Sequence, residues 1–223
     1  MSLTRFVYLV AITTMFISFF PAAGWAGVFK DNFNDGKADG WTIQQNGAGE
    51  WKVTNGGYHG SLAEGTETIA LVGEDGWQVE SIEVKIRDAT GEWLAVVWNY
   101  QDLNNFDSWW LSIANKTLEA WPKIGDYEGA ARASVAVPFD PQKESVLTVK
   151  IEGDNFDVLW DGQKVGNYTN NKFKTGKVGL LVWAGSATFD DVIINGPNIT
   201  GASIVESHCK KAVVTWGTLK AKY

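Results

Sequence analysis

The chain has 223 residues, with 26 acidic and 19 basic side chains and a formal net charge of −7. An acidic protein repels the phosphate backbone, so the composition disfavours a nucleic-acid partner. Cys209 is the single cysteine, which excludes an intrachain disulfide. Packing or a bound metal therefore has to stabilise the fold.

The first 26 residues predict a secretory signal peptide. Arg5 precedes the uncharged stretch FVYLVAITTMFISFF, and Gly24 and Ala26 supply a small-x-small cleavage pattern. This stretch is shorter than the ~20 apolar residues that a membrane-spanning helix needs. We expect cleavage after Ala26, a secreted or periplasmic mature chain that begins at Gly27, and no stable membrane insertion. An uncleaved anchor is the alternative.

The rest of the chain has the pattern of an all-β protein. It is rich in tryptophan and glycine, with 12 and 24 residues in the whole chain. In SIEVKIRD, Ile82, Val84 and Ile86 alternate with charged residues, as in a strand that is buried on one face. Similar alternation recurs in EWLAVVWNYQ, SVLTVKIEG, GKVGLLVWAG and ATFDDVIING. We predict about a dozen short strands in an antiparallel β-sandwich or jelly roll.

The expected domain covers residues 27–197, and residues 198–223 form a C-terminal tail. The tail follows GPNITG and is predicted to hold either a last strand with a short helix or an ordered latch onto the sandwich.

The stretch NFDVLWDGQKV predicts the middle of a three-strand meander. Asp161 and Gly162 suit a tight turn with positive φ at both positions. Phe156, Val158 and Trp160 share one face of the preceding strand. We expect Trp160 to lie in the core, with its indole N–H bound to a carbonyl near the end of the strand.

Five segments, in this order, resemble the concanavalin A-like lectin/glucanase superfamily. They are FKDNFNDGKADGWT, GEWKVTNGGYHG, AVVWNYQDLNNF, the meander and GKVGLLVWAGSATFDDVIING, and together they span residues 28–196. Within the superfamily the chain is most similar to laminin-G-like and sugar-binding modules of bacterial secreted proteins. It also resembles a bacterial keto-disaccharide hydrolase domain in its GW…W opening. The resemblance implies a concanavalin A-like jelly roll, a fold that hosts lectins, hydrolases, lyases and adhesion modules.

The same resemblance implies a calcium site where the first strand meets the last. The matching positions are Asp31, Asn32, Gly56 and Asp190. Calcium takes oxygen ligands, and two backbone carbonyls with the Asp190 carboxylate would begin such a site. The alternative is that Asp190 and Asp191 are charges that protect an edge strand from pairing.

A sugar site needs an aromatic platform with polar side chains beside it. Five candidate ligand-binding residues are Trp109, Trp121, Trp183, Asn99 and Arg87. Consecutive Trp109 and Trp110 cannot both face inward from one strand, so one of them is expected at the surface or in a groove. The family pattern has a polar residue at the Asn99 position on the solvent-lined face, and by alternation Arg87 could share that face. The alternative for any single tryptophan is a place in the core.

Catalytic motifs are missing from the sequence. Glu80 and Glu83 would face opposite sides of a strand, no Glu-x-Asp-x-x-Glu pattern occurs, and no Gly-x-Ser-x-Gly occurs. We therefore expect an exported module that binds a poly- or oligosaccharide without altering it and holds one structural calcium. A glycoside hydrolase or lyase on the same scaffold is one alternative, and an adhesion module with a protein partner is another.

Overall fold

A computed structural model of the chain describes residues 27–45 and 49–200, without the side chains of residues 45 and 64–66. The predicted signal peptide and residues 201–223 of the predicted tail lie outside the described residues. The described ranges contain fourteen strands, which are β1 (Gly27–Asp31), β2 (Thr42–Gln45), β3 (Glu50–Thr54), β4 (Gly57–Val72), β5 (Ser81–Asp102), β6 (Asn105–Ser112), β7 (Thr117–Ala120), β8 (Lys123–Ile124), β9 (Asp126–Tyr127), β10 (Ala133–Ala136), β11 (Ser145–Glu152), β12 (Asn155–Trp160), β13 (Gln163–Thr169) and β14 (Lys177–Gly196). In these ranges we find no helix of the length and hydropathy needed to cross a membrane.

Three long strands, β4, β5 and β14, run through both layers of an antiparallel sandwich. Residues 93–100 of β5 lie between β6 and the first part of β14. The other edge of β14 pairs with β4, and β4 pairs in turn with β2. We call this layer the front sheet, with the order β10–β7–β6–β5–β14–β4–β2. Residues 81–86 of β5 lie between β11 and the second part of β14. This back sheet continues through β11 to β12 and β13, and through β14 to β1, β4 and β3.

Glycines make the bend between the two sheets possible. Gly91 on β5 pairs with Gly185 on β14 at the point where both strands pass from one layer to the other. A Cβ on Gly91 would lie 2.3 Å from the carbonyl oxygen of Ala184, and one on Gly185 would lie 2.2 Å from that of Thr90. Because real Cβ atoms do not approach backbone so closely, only glycine fits at either position.

The space between the sheets is a continuous apolar core. Ile82, Val84 and Ile86 of the back sheet and Leu94 and Val96 of the front sheet all point into it and are fully buried. These residues follow the predicted alternation of β5 on either side of the bend. The predicted fold, an antiparallel jelly-roll sandwich, is confirmed.

The meander is formed by β11, β12 and β13, as predicted. Asp161 and Gly162 have φ of 48° and 81° in the turn, and Trp160 is 2% exposed within the core. The expected hydrogen bond is not formed, because Nε1 of Trp160 has no partner among the residues that the structure describes. Its ring packs instead at 83° against Phe139, with the ring centroids 5.9 Å apart. The indole is thus held by aromatic packing.

The start and the end of the described chain meet on the back sheet. β1 pairs with the end of β14, with Asp31 opposite Val192. Beyond β14, the Asn198 side chain donates to the Gly76 carbonyl and accepts from the Gln78 amide, and Ile199 is buried in the core. The domain limit at residue 197 stays a prediction.

Candidate functional site

The outer face of the front sheet carries a second apolar cluster, which is separate from the sandwich core. Its buried members are Ile69, Leu71, Ala95, Val97, Tyr100, Phe106, Trp110 and Leu181. Aromatic side chains that are only partly buried pack against it. A sheet face that turns away from the core is normally polar, so an aromatic one indicates a surface that binds something.

Five rings of this cluster line a pocket with a volume of about 230 Å³. They are Trp93, Trp110, Trp121, Tyr127 and Trp183, and we call their site the aromatic pocket. Trp110 is 5% exposed, and the other four rings are partly exposed. The pocket is smaller than the ~300–1,000 Å³ typical of sites for drug-sized ligands, so it suits a group of about one ring.

Strand register explains how the rings come together. Trp93 on β5 lies directly opposite Trp183 on β14, and Trp110 on β6 lies opposite Ala95, two residues further along β5. Alternation sends all three side chains to the outer face of the front sheet. Tyr127 comes from the short hairpin of β8 and β9, which pairs with the start of β6.

Trp110 is the central ring of the aromatic pocket. Its centroid lies 6.3 Å from that of Trp93, 6.4 Å from that of Trp183 and 5.8 Å from that of Tyr127. The interplanar angles are 78°, 68° and 81°, so each neighbour stands nearly at right angles to Trp110. Edge-to-face packing of this kind is favourable and fixes the relative orientation of the rings.

The hydrogen bonds of the pocket rings run mostly into the protein. Nε1 of Trp110 donates to Oγ of Ser108 at 2.8 Å, and Nε1 of Trp121 donates to the Glu119 carboxylate at 2.9 Å. Ser108 in turn donates to the Trp121 carbonyl, and Glu119 also accepts from Thr117. These bonds hold the Trp110 and Trp121 rings in place, because each indole N–H is anchored to a side chain two residues earlier in the chain.

A buried ion pair connects the β8–β9 hairpin to the far side of the front sheet. Nζ of Lys123 lies 2.7 Å from Oε1 of Glu67 on β4, and the hydroxyl of Tyr127 donates to Oε2 of Glu67 at 2.7 Å. Burial, followed by the Glu67 carboxylate, raises the pKa of Tyr127 well above its ordinary value. Tyr127 is therefore a neutral donor, and Glu67 fixes the position of its ring in the pocket.

Two of the predicted ligand-binding residues, Trp121 and Trp183, lie in the aromatic pocket. Trp109 does not fit this role, because it is 0% exposed and belongs to the inner core. Its neighbour Trp110 faces the pocket. The prediction that only one of this pair faces inward is confirmed, and the ring that faces outward is Trp110, whereas the sequence analysis chose Trp109 as the candidate platform. Sequence reasoning also missed Trp93 and Tyr127, and the strand register that brings Trp93 to Trp183 could not be read from the sequence.

Asn99 does not lie on the outer face. Two residues of β5, Trp98 and Asn99, lie between Val97 and Tyr100, whereas only one residue of β14 lies between their partners Gly179 and Lys177. Asn99 has φ of 50° in this bulge, is 3% exposed and donates to the Asp107 carboxylate at 2.9 Å. The extra residue reverses the alternation, so Tyr100 takes the outer position that was expected for Asn99.

Arg87 lies on the opposite side of the molecule from the aromatic pocket. It precedes the bend at Gly91 and therefore belongs to the back sheet, where it donates to Asp88 and to the carbonyl of Asn55. The expectation that Arg87 shares a face with the pocket residues is wrong, because strand alternation was extended across a bend that moves β5 from one sheet to the other.

The residues predicted to hold a metal lie around the junction of β1, β4 and β14. Asp31 is 8% exposed and accepts hydrogen bonds from the Phe33 amide and the Trp41 indole. Burial raises the pKa of Asp31 and also that of Asp190. A Cβ on Gly56 would lie 3.1 Å from Oδ1 of Asn34. Across the described ranges, no group of three or more His, Cys, Asp or Glu side chains could hold a metal ion.

The sequence comparisons give no family assignment. No known family model matches the chain. An extracellular exo-alpha-L-arabinofuranosidase from Streptomyces chartreusis is 28% identical over 152 residues, which are 68% of this chain and 18% of that protein. The chain thus spans less than a fifth of the length of this curated relative.

The structure comparisons identify the fold. The chain is similar to the carbohydrate binding module CBM66 from Bacillus subtilis, with a TM-score of 0.59 and 22% identity over 70% of this chain and 95% of the module. It is also similar to the Bacillus licheniformis beta-glucanase, with a TM-score of 0.59 and 16% identity over 75% and 97% of the two chains. A third similar structure is the Ca2+/Man-bound exoplasmic/lumenal domain of VIP36, with a TM-score of 0.56 and 11% identity over 79% and 92%.

Proposed function

We propose that this chain, a concanavalin A-like jelly roll, is an exported carbohydrate-binding domain that holds a sugar in the aromatic pocket. The observation that carries the proposal is the set of five aromatic rings gathered on the outer face of one sheet. Sugars present apolar C–H patches flanked by hydroxyls, and an aromatic ring with a polar edge suits this half-apolar contact.

The comparisons support the same function. One similar structure is a carbohydrate binding module, CBM66, and another, the VIP36 domain, is in a mannose-bound form. The curated relative, an arabinofuranosidase, is a glycosidase. The acidic composition and the aromatic face also fit a neutral, hydrated ligand better than a nucleic acid.

A glycan array with the mature chain tests the function directly. Retention of a poly- or oligosaccharide without product release supports binding alone. Release of reducing sugar would make the chain a glycoside hydrolase or lyase. An array with no bound glycan, together with a specific protein captured under the same conditions, would identify an adhesion module.

Tryptophan variants locate the site. We expect Trp183→Ala and Trp121→Ala to abolish sugar binding, because each removes a ring from the pocket. Trp51→Ala is the matched control, since Trp51 is also partly buried but packs against the core on Tyr58 and Phe189. Trp160→Ala should cost about 3–5 kcal/mol of unfolding free energy, as for other core tryptophans. Binding that survives both pocket substitutions would remove the aromatic pocket from the proposal.

We further propose a structural calcium at the junction of the first and last strands. A Cβ on Gly57 would lie 3.1 Å from the carbonyl of Phe189, so the turn after β3 touches β14 next to Asp190. Backbone carbonyls of this turn and of the loop after Asp31 and Asn32, together with the Asp190 carboxylate, would supply the oxygen ligands that calcium prefers. Carbonyl ligands fit the scarcity of clustered carboxylates in the described part of the chain.

Thermal unfolding with calcium or a chelator tests the metal. An ion that binds only the folded state at ~100 times its Kd adds about 2.7 kcal/mol. Asp190→Ala should remove this gain. Asp191→Ala is the control, since the Asp191 carboxylate pairs with Lys85. A melting temperature that responds to neither calcium nor chelator would leave Asp190 as an edge charge.

Export is the third part of the proposal. Intact-mass measurement of the protein recovered outside the cytoplasm should give a chain that begins at Gly27. Retention of the first 26 residues would contradict the proposed cleavage.

A further inference from the structure

The aromatic pocket has few free polar atoms. Of the five polar atoms on its rings, those of Trp110, Trp121 and Tyr127 are bound to Ser108, Glu119 and Glu67. Within the part of the chain that the structure describes, the Nε1 atoms of Trp93 and Trp183 are bound to no protein group. The surface that the pocket offers a ligand is therefore almost entirely carbon. A ligand hydroxyl that enters it finds no acceptor on the indoles, and the one acceptor atom on the rings, the Tyr127 hydroxyl oxygen, already faces the Glu67 carboxylate.

The charged groups around the pocket leave a negative balance. Lys123 neutralises Glu67 in a buried pair. Glu119 lies opposite Trp110 on β7 and has no cationic partner among the described residues; its carboxylate accepts only from Thr117 and Trp121. A second carboxylate placed beside Glu119 would be repelled and would lose part of its hydration against the rings.

The shape of the pocket restricts what can enter. Three rings stand at 68–81° to Trp110, and the volume is about 230 Å³. A box of rings set at right angles accommodates a small apolar group from several sides, whereas a flat platform stacks against a whole sugar face. The part of the sugar that enters is thus its least polar edge.

Building on the proposed function, we propose that the aromatic pocket selects uncharged sugars whose C5 position carries a methyl group or hydrogen. These are 6-deoxyhexoses and pentoses in the pyranose form. A hydroxymethyl group at C5 brings a hydroxyl without an acceptor, and a carboxylate brings a charge next to Glu119.

Sugars that differ only at C5 test this selectivity. The galacto series is L-arabinopyranose, D-fucose, D-galactose and D-galacturonate, as methyl glycosides. The corresponding gluco and manno series cover the other common ring configurations. Calorimetry or ligand-observed NMR on the mature chain gives the affinity of each sugar at pH 7.

In the series that binds, we expect the 6-deoxy sugar or the pentose to bind about tenfold more tightly than the hydroxymethyl sugar, which is the effect of one unpartnered hydroxyl. The uronate should bind at least about a hundredfold more weakly than the 6-deoxy sugar. A uronate that binds as tightly as its neutral parent, or a hydroxymethyl sugar that binds best, overturns the inference.

A variant separates failure of this inference from failure of the proposed function. Trp183→Phe keeps an aromatic ring but shortens this wall of the pocket, so it should weaken the binding of all neutral sugars by a similar factor and preserve their order. Trp51→Phe should change nothing. If polysaccharide binding depends on the pocket but no C5 preference is found, the function stands and the inference fails. If no glycan binding depends on the pocket, both fail.

Discussion

Asp107 is a carboxylate that is fully buried beneath the front sheet. It accepts hydrogen bonds from the side-chain amides of Asn99 and Asn170, at 2.9 and 2.6 Å, and from the hydroxyl of Tyr168 at 3.2 Å. Burial raises the pKa of Asp107 despite these bonds and the nearby charge of Arg132. The three neutral donors therefore offset only part of the desolvation of the charged form.

This raised pKa makes stability depend on pH. An aspartate whose pKa is higher in the folded state binds more protons there, so its favourable contribution is complete below the ordinary value of 3.8 and is lost as the pH rises through the raised value. Asp107→Asn does not titrate. The difference in unfolding free energy between the two proteins should therefore shift in favour of the variant as the pH rises above the ordinary pKa of 3.8. Denaturant unfolding at several pH values measures it, and a difference independent of pH would contradict the assignment.

Trp109 and Trp110 show how one residue position separates a ring of the inner core from a ring of the aromatic pocket. Trp109 shares its face of β6 with Leu111, and Trp110 shares the other face with Ser108 and Ser112. Asp107 lies on the same face as Trp109, so polar residues occur on both faces of this strand. The pattern therefore predicts only that the pair divides between the faces, and it does not show which ring turns outward.

The β8–β9 hairpin supplies Tyr127 to the aromatic pocket, and its side chains bind Glu67 on β4. Lys123 and Tyr127 reach Glu67 across the front sheet, and the side chains of Lys123 and Glu67 are only 10% and 3% exposed. The ammonium group of Lys123 also lies 4.6 Å from the centroid of the Tyr127 ring. Removing one charge would leave the other buried without compensation.

We expect Glu67→Gln to lower the unfolding free energy by about 3–5 kcal/mol, as for other broken buried pairs. Sugar binding should weaken as well, since Tyr127 loses its anchor. The double variant Glu67→Leu with Lys123→Met should recover most of the lost stability, because it removes both charges. Denaturant unfolding of the single and double variants provides the comparison. A double variant no more stable than Glu67→Gln would show that the charge is not the cause.

The bend of β5 and β14 is a second element-scale feature. Gly91 has φ of 91°, and a side chain there would meet the backbone of β14. Gly125, in the turn between β8 and β9, has a similar φ of 79° but open space around it. Alanine substitutions at these two glycines therefore separate two effects: both strain the backbone, but only the one at Gly91 also causes steric overlap.

Gly125→Ala should cost about 1 kcal/mol, the effect of an unfavourable φ alone. Gly91→Ala should cost at least about 2 kcal/mol more, since the added methyl group also forces the two strands apart. Equal melting temperatures for the two variants would contradict a role for Gly91 in holding the sheets together.

At the scale of the whole molecule, the sequence predicted the sandwich and two of the pocket rings, Trp121 and Trp183, but not how the five rings come together. Alternation along SIEVKIRD and the Asp161–Gly162 turn are local, and both were predicted correctly. The aromatic pocket depends on which strands become neighbours, as Trp93 and Trp183 do, and on the bulge that turns Asn99 inward. Pairing and bulges are set by packing over the whole sheet, so a pattern within one strand cannot show them.

The shared strands also predict how the molecule unfolds. Because β4, β5 and β14 each belong to both sheets, neither sheet can separate without breaking the pairs of the other. We expect one cooperative transition, with coincident curves for tryptophan fluorescence and far-ultraviolet circular dichroism and equal calorimetric and van't Hoff enthalpies. A sugar that binds the pocket at ~100 times its Kd should raise the unfolding free energy of the whole molecule by about 2.7 kcal/mol. An early loss of pocket fluorescence at intact secondary structure would mean that the front sheet opens on its own.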